Sequence, residues 1–277
     1  MQLALADRLV DLSAPLVMGI VNVTPDSFSD GGQHATTARA IDHALQLVAE
    51  GAAMVDIGGE STRPGAQAVS EAEELARVVP VIAGIRARSD VIISVDTSKP
   101  AVMAAAVAAG AQLINDVWAL RQPGALAVAA ASGVAVCLMH MQGEPRTMQQ
   151  APEYADVVAE VATFLQQRVE ACETAGIGRN RIVLDPGFGF GKNLSHNFRL
   201  LARLNELAGE LPLLAGMSRK SMIGAVTGRD LQGRLAGSVA AAVLAAVQGA
   251  RIIRVHDVAA TVDALAVTMA MLKEKQA

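Results

Sequence analysis

Cysteine is scarce: Cys137 and Cys172 are the two in 277 residues. They make neither a disulfide framework nor a thiolate metal site, and each lies in an apolar stretch, so both read as buried structural thiols. An excess of positive charge is missing too. Lys plus Arg number 23 against 27 Asp plus Glu, a formal −4 with a pI near 5.7. No stripe of cations is available to neutralise a row of phosphates, and nucleic acid is not an expected partner. The mean hydropathy of +0.36 comes from Ala and Val dispersed at helical spacing. The longest apolar run, Ala101 to Ala111, falls far short of the roughly 20 residues that cross a bilayer, so no membrane partner is expected. The opening MQLALADRLVDLSAPLV lacks a cationic region followed by an apolar stretch and a cleavage site, which makes the cytosol the expected location. No Pro/Gly/Ser-rich linker or low-complexity tract interrupts the chain, against a tethered pair of domains.

What is present is apolar mass: 52% hydrophobic against 18% charged residues, enough for one large core. Short runs rich in Val, Ile and Leu recur, each followed by a polar cluster and then an Ala-rich segment of helical period. Strands are expected at Leu16–Val21, Met54–Ile57, Val91–Val95, Leu113–Ile114, Val134–Met139, Arg181–Leu184, Leu213–Gly216 and Arg251–Val255. Between them, Ser70 with Glu73 reads as a capping box, and Ser98 and Ser195 read as N-caps. Gly51, Gly110 and Gly249 fall where a left-handed helix end wants glycine. This alternation predicts an α/β fold, a single-domain (β/α)8 TIM barrel over residues 1–277. A doubly wound open sheet is the runner-up, but it needs a Gly-rich turn after the first strand, and Gly19-Ile-Val-Asn is not one.

Barrels of this kind build their sites from the loops after the C-terminal strand ends. Those positions hold Asn22; Glu60, Ser61, Thr62 and Arg63; Asp96; Asn115 and Asp116; His140; Asp185; Ser218, Arg219 and Lys220; and Arg254 with His256. All eight ends are polar or ionisable, a one-sidedness that solubility does not explain. Asp96, Asn115 and Asp185 form an acceptor set suited to a flat edge of adjacent N–H donors. Arg63, Lys220, Arg254 and His256 form a cationic set suited to a pyrophosphate or carboxylate.

Plainer readings stand beside these. Asp185 before Pro186 is also a turn former. Arg219 and Lys220 also read as a solvated helix start, although cations are disfavoured at a helix N-terminus. His140 between Met139 and Met141 reads as a packed histidine and stays outside the catalytic set. Gly187-Phe-Gly-Phe-Gly-Lys192 is not a phosphate loop, because Pro186 and Asn193 stand where that pattern needs Gly and Ser or Thr. Its glycines let the chain turn tightly so that Phe190 can lie over a flat ligand ring.

The strand-end segments NVTPDSFSDGG (22–32), GESTRPGA (59–66), SVDTSKP (94–100), IND (114–116), MHMQG (139–143), LDPGFGFGK (184–192), AGMSRKS (215–221) and RVHD (254–257) together resemble the dihydropteroate synthase family of bacterial folate biosynthesis, over nearly the whole chain. The resemblance implies a Mg²⁺-dependent transfer in which the amine of p-aminobenzoate displaces pyrophosphate from 6-hydroxymethyl-7,8-dihydropterin pyrophosphate. It implies a pterin pocket of Asp96, Asn115, Val117, Met139, Asp185, Gly216, Lys220 and Arg254. By the same likeness, Asn22, Thr62, Arg63, Arg254 and His256 take pyrophosphate, with Asn22 as the Mg²⁺ ligand. Thr62, Arg63, Pro64, Phe190, Arg219, Lys220 and Ser221 line the p-aminobenzoate pocket, where sulfonamides compete. Asp96, Asp185, Lys220, Arg254 and His256 carry the catalysis. The loops with Gly31, Gly32, Pro64 and Gly65 are expected to act as lids, and a homodimer through the last helices is implied. A folate-binding methyltransferase barrel, a silent pterin-binding paralogue and a Schiff-base aldolase on Lys220 stay open as alternatives.

Overall fold

The computed structural model describes residues 1–24, 33–61, 68–144, 147–149, 151–207 and 209–274. The expected Thr62, Arg63 and Pro64, and the glycines of the two lid loops, lie outside the described residues. The chain opens with a two-stranded antiparallel hairpin, β1 (Gln2–Ala4) and β2 (Leu9–Asp11). Strands and helices then alternate: β3 (Leu16–Asn22), α1 (Gln33–Ala49), β4 (Met54–Gly58), α2 (Glu71–Arg86), β5 (Ile92–Asp96), α3 (Pro100–Ala108), β6 (Leu113–Asp116), α4 (Ala125–Ser132), β7 (Ala135–Met139) and α5 (Val157–Thr174). They continue as β8 (Ile182–Asp185), α6 (Leu194–Ala202), β9 (Leu213–Ala215), α7 (Ser221–Thr227), α8 (Leu235–Val247), β10 (Ala250–Val255) and α9 (Val258–Glu274). Strands β3 to β10 pair in parallel in chain order and β10 returns to β3, closing the expected eight-stranded barrel.

Side chains alternate along a strand with period two, and here the two parities go to different cores. Val17, Val21, Val55, Ile57, Ile93, Val95, Ile114, Val136 and Leu138 point outward into the core under the helices. Met18, Met54, Ile92, Leu113, Ala135, Cys137, Val183, Leu214 and Ile252 point inward and fill the barrel floor with Leu3, Leu5 and Leu12 from the opening segment. The hairpin therefore plugs the bottom, which leaves the C-terminal end as the side where a ligand can enter. Further along the same strands, the inward parity reaches Asp56, Asp96, Asn115, Met139, Asp185, Gly216, Arg254 and His256. The apolar floor explains why the strands read as continuous hydrophobic runs. Both cysteines are free and buried, as expected.

The helix ends follow the local signals in part. Ser70 caps α2 by accepting from the Glu73 backbone N–H, but the Glu73 carboxylate pairs with Arg77. Ser98 is not a cap: Lys99 holds that position and Ser98 Oγ donates to Asp116. Asn193, not Ser195, caps α6, in a reciprocal box with His196. The three glycines expected at left-handed helix ends sit at φ of +102° (Gly51), +115° (Gly110) and +98° (Gly249). Among the described residues no single helix is long and apolar enough to cross a membrane.

Candidate active site

At the barrel mouth Asn22, Gly58, Asp96 and Asn115 are register partners on four successive strands. Gly58 leaves a gap in this row: a Cβ there would stand 3.9 Å from Asp96 Oδ2 and 4.0 Å from Asn22 Oδ1. Across the barrel, Arg254 binds two carboxylates at once, donating from Nε to Asp56 Oδ2 at 2.6 Å and from Nη2 to Asp96 Oδ2 at 2.9 Å. Asn115 Nδ2 donates to the same Asp56 oxygen at 3.0 Å. One inward residue that the strand-end pattern passes over thus ties together the acceptor set and the cationic set. Gly216, directly after the neighbouring strand β9, lies against Arg254, where a Cβ would stand in ordinary contact at 3.7 Å from Arg254 Cβ.

Burial dominates the electrostatics. It pushes the Asp96 carboxyl up to about 7, with Arg254 opposing and Asp56 and Asp116 adding to the rise. Asp185 is also raised by burial, against the pull of Lys220. Burial lowers the Lys220 ammonium to about 8, with Asp185 opposing. For Arg254 the same penalty is outweighed by Asp56 and Asp96, which hold the guanidinium charged. Breaking a buried ion pair by removing one partner costs about 3–5 kcal/mol, so this cluster holds its own geometry firmly.

The glycine-rich loop after β8 brings the two sets together. Gly187, Gly189 and Gly191 have φ of +67°, +79° and +60°. A Cβ on Gly187 would lie 1.9 Å from the His140 backbone oxygen, so another residue there would displace the loop. Asp185 Oδ1 accepts from the Gly187 N–H at 2.7 Å. Lys220 donates to the Phe188 carbonyl at 2.5 Å and stands 4.8 Å above the Phe190 ring. Phe190 joins Val117, Met139, Met141, Met148 and Trp118 in an apolar patch at the mouth, a wall for a flat ring. Lys192, which the sequence marks only as part of the loop, is buried and donates to His140 Nδ1 at 2.9 Å and to the Gly187 and Phe190 carbonyls at 3.0 Å each. It fastens the loop. His140 is a packed histidine, as expected. It stands edge-on to Phe164 at 4.9 Å, and burial with the nearby Lys192 charge pulls its imidazole down to about 2.

Other strand-end residues divide. His256 sits on Ser218, its backbone N–H donating to Oγ at 3.2 Å with Nδ1 at 3.1 Å. Arg219, held at φ +59°, gives Nε and Nη2 to Asp257 at 3.0 and 2.5 Å, so its fork meets a carboxylate of this chain. Ser221 begins α7, and Lys220 is the residue before it, without a side-chain capping bond. Asp116 has the outward parity and belongs to the backbone: it accepts from Trp118 N at 2.9 Å, from Leu120 N at 2.7 Å and from Ser98 Oγ at 2.5 Å. That clamp holds Ala119 and Leu120 at φ of +52° and +58°. A cavity of about 430 Å³ borders Asp96, with Lys99, Val117 and Trp118 in its wall.

For Mg²⁺ the fit rests on few donors. Among the described residues no three His, Cys, Asp or Glu side chains converge as a metal cage. Mg²⁺ is ordinarily held by one or two protein oxygens together with phosphate oxygens and water. The side-chain oxygen of Asn22, at the mouth end of β3 beside the side-chain-free Gly58, suits that mode.

A family model described as pterin binding enzyme matches residues 18–256. The chain is 57% identical to the dihydropteroate synthase of Escherichia coli K12 over 268 residues, covering 96% of this chain and 95% of that one. Its fold is similar to the crystal structure of the Yersinia pestis dihydropteroate synthase with a sulfonamide drug complex, at a TM-score of 0.94 and 56% identity, covering 99% and 100% of the two chains. It is likewise similar to the Xanthomonas albilineans dihydropteroate synthase in complex with 7,8-dihydropteroate, at a TM-score of 0.90 and 54% identity, covering 98% and 99%.

Proposed function

The chain belongs to the pterin binding enzyme family, among its dihydropteroate synthases, and from that premise we propose how its barrel mouth carries out the reaction. The enzyme condenses 6-hydroxymethyl-7,8-dihydropterin pyrophosphate with p-aminobenzoate to 7,8-dihydropteroate in folate biosynthesis, working in the cytosol. The observation that carries the assignment of roles is the convergence of Asp96, Asn115 and Arg254 on one network facing Asp185 and Lys220. Asp96, Asn115 and Asp185 accept from the pterin's donor edge, and Lys220 donates to its carbonyl and ring nitrogen. Val117, Met139 and Gly216 border the ring, and Arg254 lies against its face while reaching phosphate. Pyrophosphate meets Asn22, Thr62, Arg63, Arg254 and His256. The aromatic amine enters past Thr62, Arg63, Pro64, Phe190, Arg219, Lys220 and Ser221, the surface that sulfonamides would share.

The bond that breaks joins the pterin methylene carbon to the pyrophosphate oxygen, and pyrophosphate leaves with the electron pair. The electron-rich dihydropterin ring delocalises the positive charge left behind, and the Asp96 and Asp185 carboxylates stabilise it electrostatically. The amine lone pair then forms the C–N bond and the nitrogen gives its extra proton to the released pyrophosphate, so positioning and a dry pocket suffice on that side. Asn22 would hold Mg²⁺, whose charge would offset that of the leaving pyrophosphate.

This assignment has a pH signature. Asp96 accepts from the ring as carboxylate, the form that prevails above about 7, and Lys220 donates as ammonium, the form that prevails below about 8. The expected profile of kcat/KM for the pterin substrate is a narrow bell with limbs near those values. Lys220→Arg, whose charge does not titrate in this range, is expected to lose the basic limb. A basic limb unchanged in that variant would assign it to another group.

We propose that a homodimer forms through α8 and α9. Leu244 and Val247 near the end of one helix, and Val267 and Met271 near the end of the other, are exposed at 52%, 48%, 73% and 54%, a patch suited to a second copy of the same surface. Val267→Glu with Leu244→Glu is expected to shift sedimentation from dimer to monomer while the barrel stays folded. A wild-type monomer at micromolar concentration would contradict this. The pterin half is tested by calorimetric titration with the dihydropterin pyrophosphate in Mg²⁺ buffer: one saturable site per chain is expected, weakened in Asp185→Ala. Absence of binding would overturn the pterin contacts assigned to the barrel mouth.

A further inference from the structure

Asp56 stands mid-strand in β4, two residues below the strand-end positions, and is wholly buried. A carboxylate in that place is costly unless it is paired, and its Oδ2 accepts both from Arg254 Nε at 2.6 Å and from Asn115 Nδ2 at 3.0 Å. Its Oδ1 has no hydrogen-bond partner among the described residues. The whole bonding of this group is therefore spent, through one oxygen, on two side chains that face the mouth. We propose that Asp56 is a positioning residue for the pterin pocket, fixing the plane of the Arg254 guanidinium and the turn of the Asn115 amide with a single shared oxygen.

Arg254 is held at two edges, Nε by Asp56 from below and Nη2 by Asp96 at 2.9 Å from the adjoining strand, so its plane cannot rotate about the side-chain axis. Asp96 alone would leave a single contact at one terminus, about which a guanidinium can swing. Asn115 gives its Nδ2 to Asp56, so Asp56 decides which way round the amide sits and hence that its carbonyl oxygen is the atom turned from Asp56. An acceptor without hydrogens is what two inward donors require at this position. The register places Asp56 level with Ile20 on β3 and Ser94 on β5, so among its immediate strand partners it is the one charged side chain at that level. A purely structural ion pair would need neither the Asn115 bond nor the choice of Nε on Arg254.

The inference rests on the proposed pterin contacts of Arg254 and Asn115, and its test separates the two. Asp56→Asn keeps an acceptor oxygen and removes the charge; Asp56→Leu keeps bulk and removes the acceptor. Per folded molecule, kcat/KM for the pterin pyrophosphate is expected to fall about 10- to 100-fold in the Leu variant, the scale of a catalytic group misplaced by about an ångström. The Asn variant is expected to recover part of it, with KM for p-aminobenzoate unchanged in both. A merely structural role would lower the melting temperature of both variants and leave the kinetics of the folded fraction as in the wild type, which would overturn the proposal. Crystal structures of the two variants supply a readout that needs no substrate: Arg254 or Asn115 is expected to change rotamer in Asp56→Leu, and unchanged rotamers there would also overturn it. Should the wild-type protein bind no pterin while the rotamers shift as expected, the pterin roles fail and the positioning function of Asp56 stands.

Discussion

Replacing Asp96 with alanine is expected to lower turnover roughly 10²–10³-fold, the usual loss when one preorganised transition-state partner is removed. The carboxylate does two things that the methyl group cannot. In the proposed mechanism it accepts from the ring's donor edge and sets negative charge near the carbon from which pyrophosphate departs. The fold should survive, because Asp96 ends β5 at the mouth with its side chain 13% exposed, and Arg254 keeps its bond to the deeper Asp56. Circular dichroism should therefore match the wild type, with a lowered melting temperature from the lost ion-pair partner of Arg254, while kcat collapses. Near-normal turnover would remove Asp96 from the mechanism, and an unfolded variant would make it a structural residue.

Lys220→Ala is expected to cost a similar factor, about 10²–10³, for a different reason. Lys220 is drawn to the Phe188 carbonyl and stands over the Phe190 ring, beside the glycine loop that also carries Asp185. Its loss removes the donor proposed for the pterin carbonyl and also the positive charge that opposes the rise of Asp185. KM for the pterin substrate should climb along with the fall in kcat. Lys220→Arg should restore part of the activity, since charge is kept but a planar fork replaces a point donor. Unchanged kcat/KM in the alanine variant would reduce Lys220 to a structural tie of the glycine loop through the Phe188 carbonyl. It would also count against the Schiff-base alternative, which needs the same amine.

The barrel is legible in the sequence because each unit repeats one pattern, a short apolar run, a polar end and an Ala-rich helix. Site residues are legible where they end a strand. Asn22, Asp96, Asn115, Asp185, Arg254 and His256 all have the inward parity, and the structure brings Asp96, Asn115 and Arg254 into one network. Parity is also what strand-end position alone leaves out. Asp116 ends β6 as plainly as Asn115 does, yet it points the other way and clamps a turn. Asp56 has the inward parity but sits inside MVDIG, where a lone acid in an apolar run gives no positional signal unless the floor and mouth of the barrel are already known. Misplaced caps have a local cause: Asn193 and Ser195 are both good N-caps by residue type, and only the partner His196 ring decides between them. Lys192 escapes notice because a lysine after a glycine run reads as solvated, whereas here the loop folds its own carbonyls around the ammonium.

The most direct measurement of the central claim is the initial rate of 7,8-dihydropteroate formation by the purified protein, with dihydropterin pyrophosphate, p-aminobenzoate and Mg²⁺ each left out in turn. Product that appears only when all three are present, with one pyrophosphate released per dihydropteroate, is the predicted result. Saturable pterin binding without product under the complete conditions would contradict the account and make this barrel a pterin-binding protein of another kind.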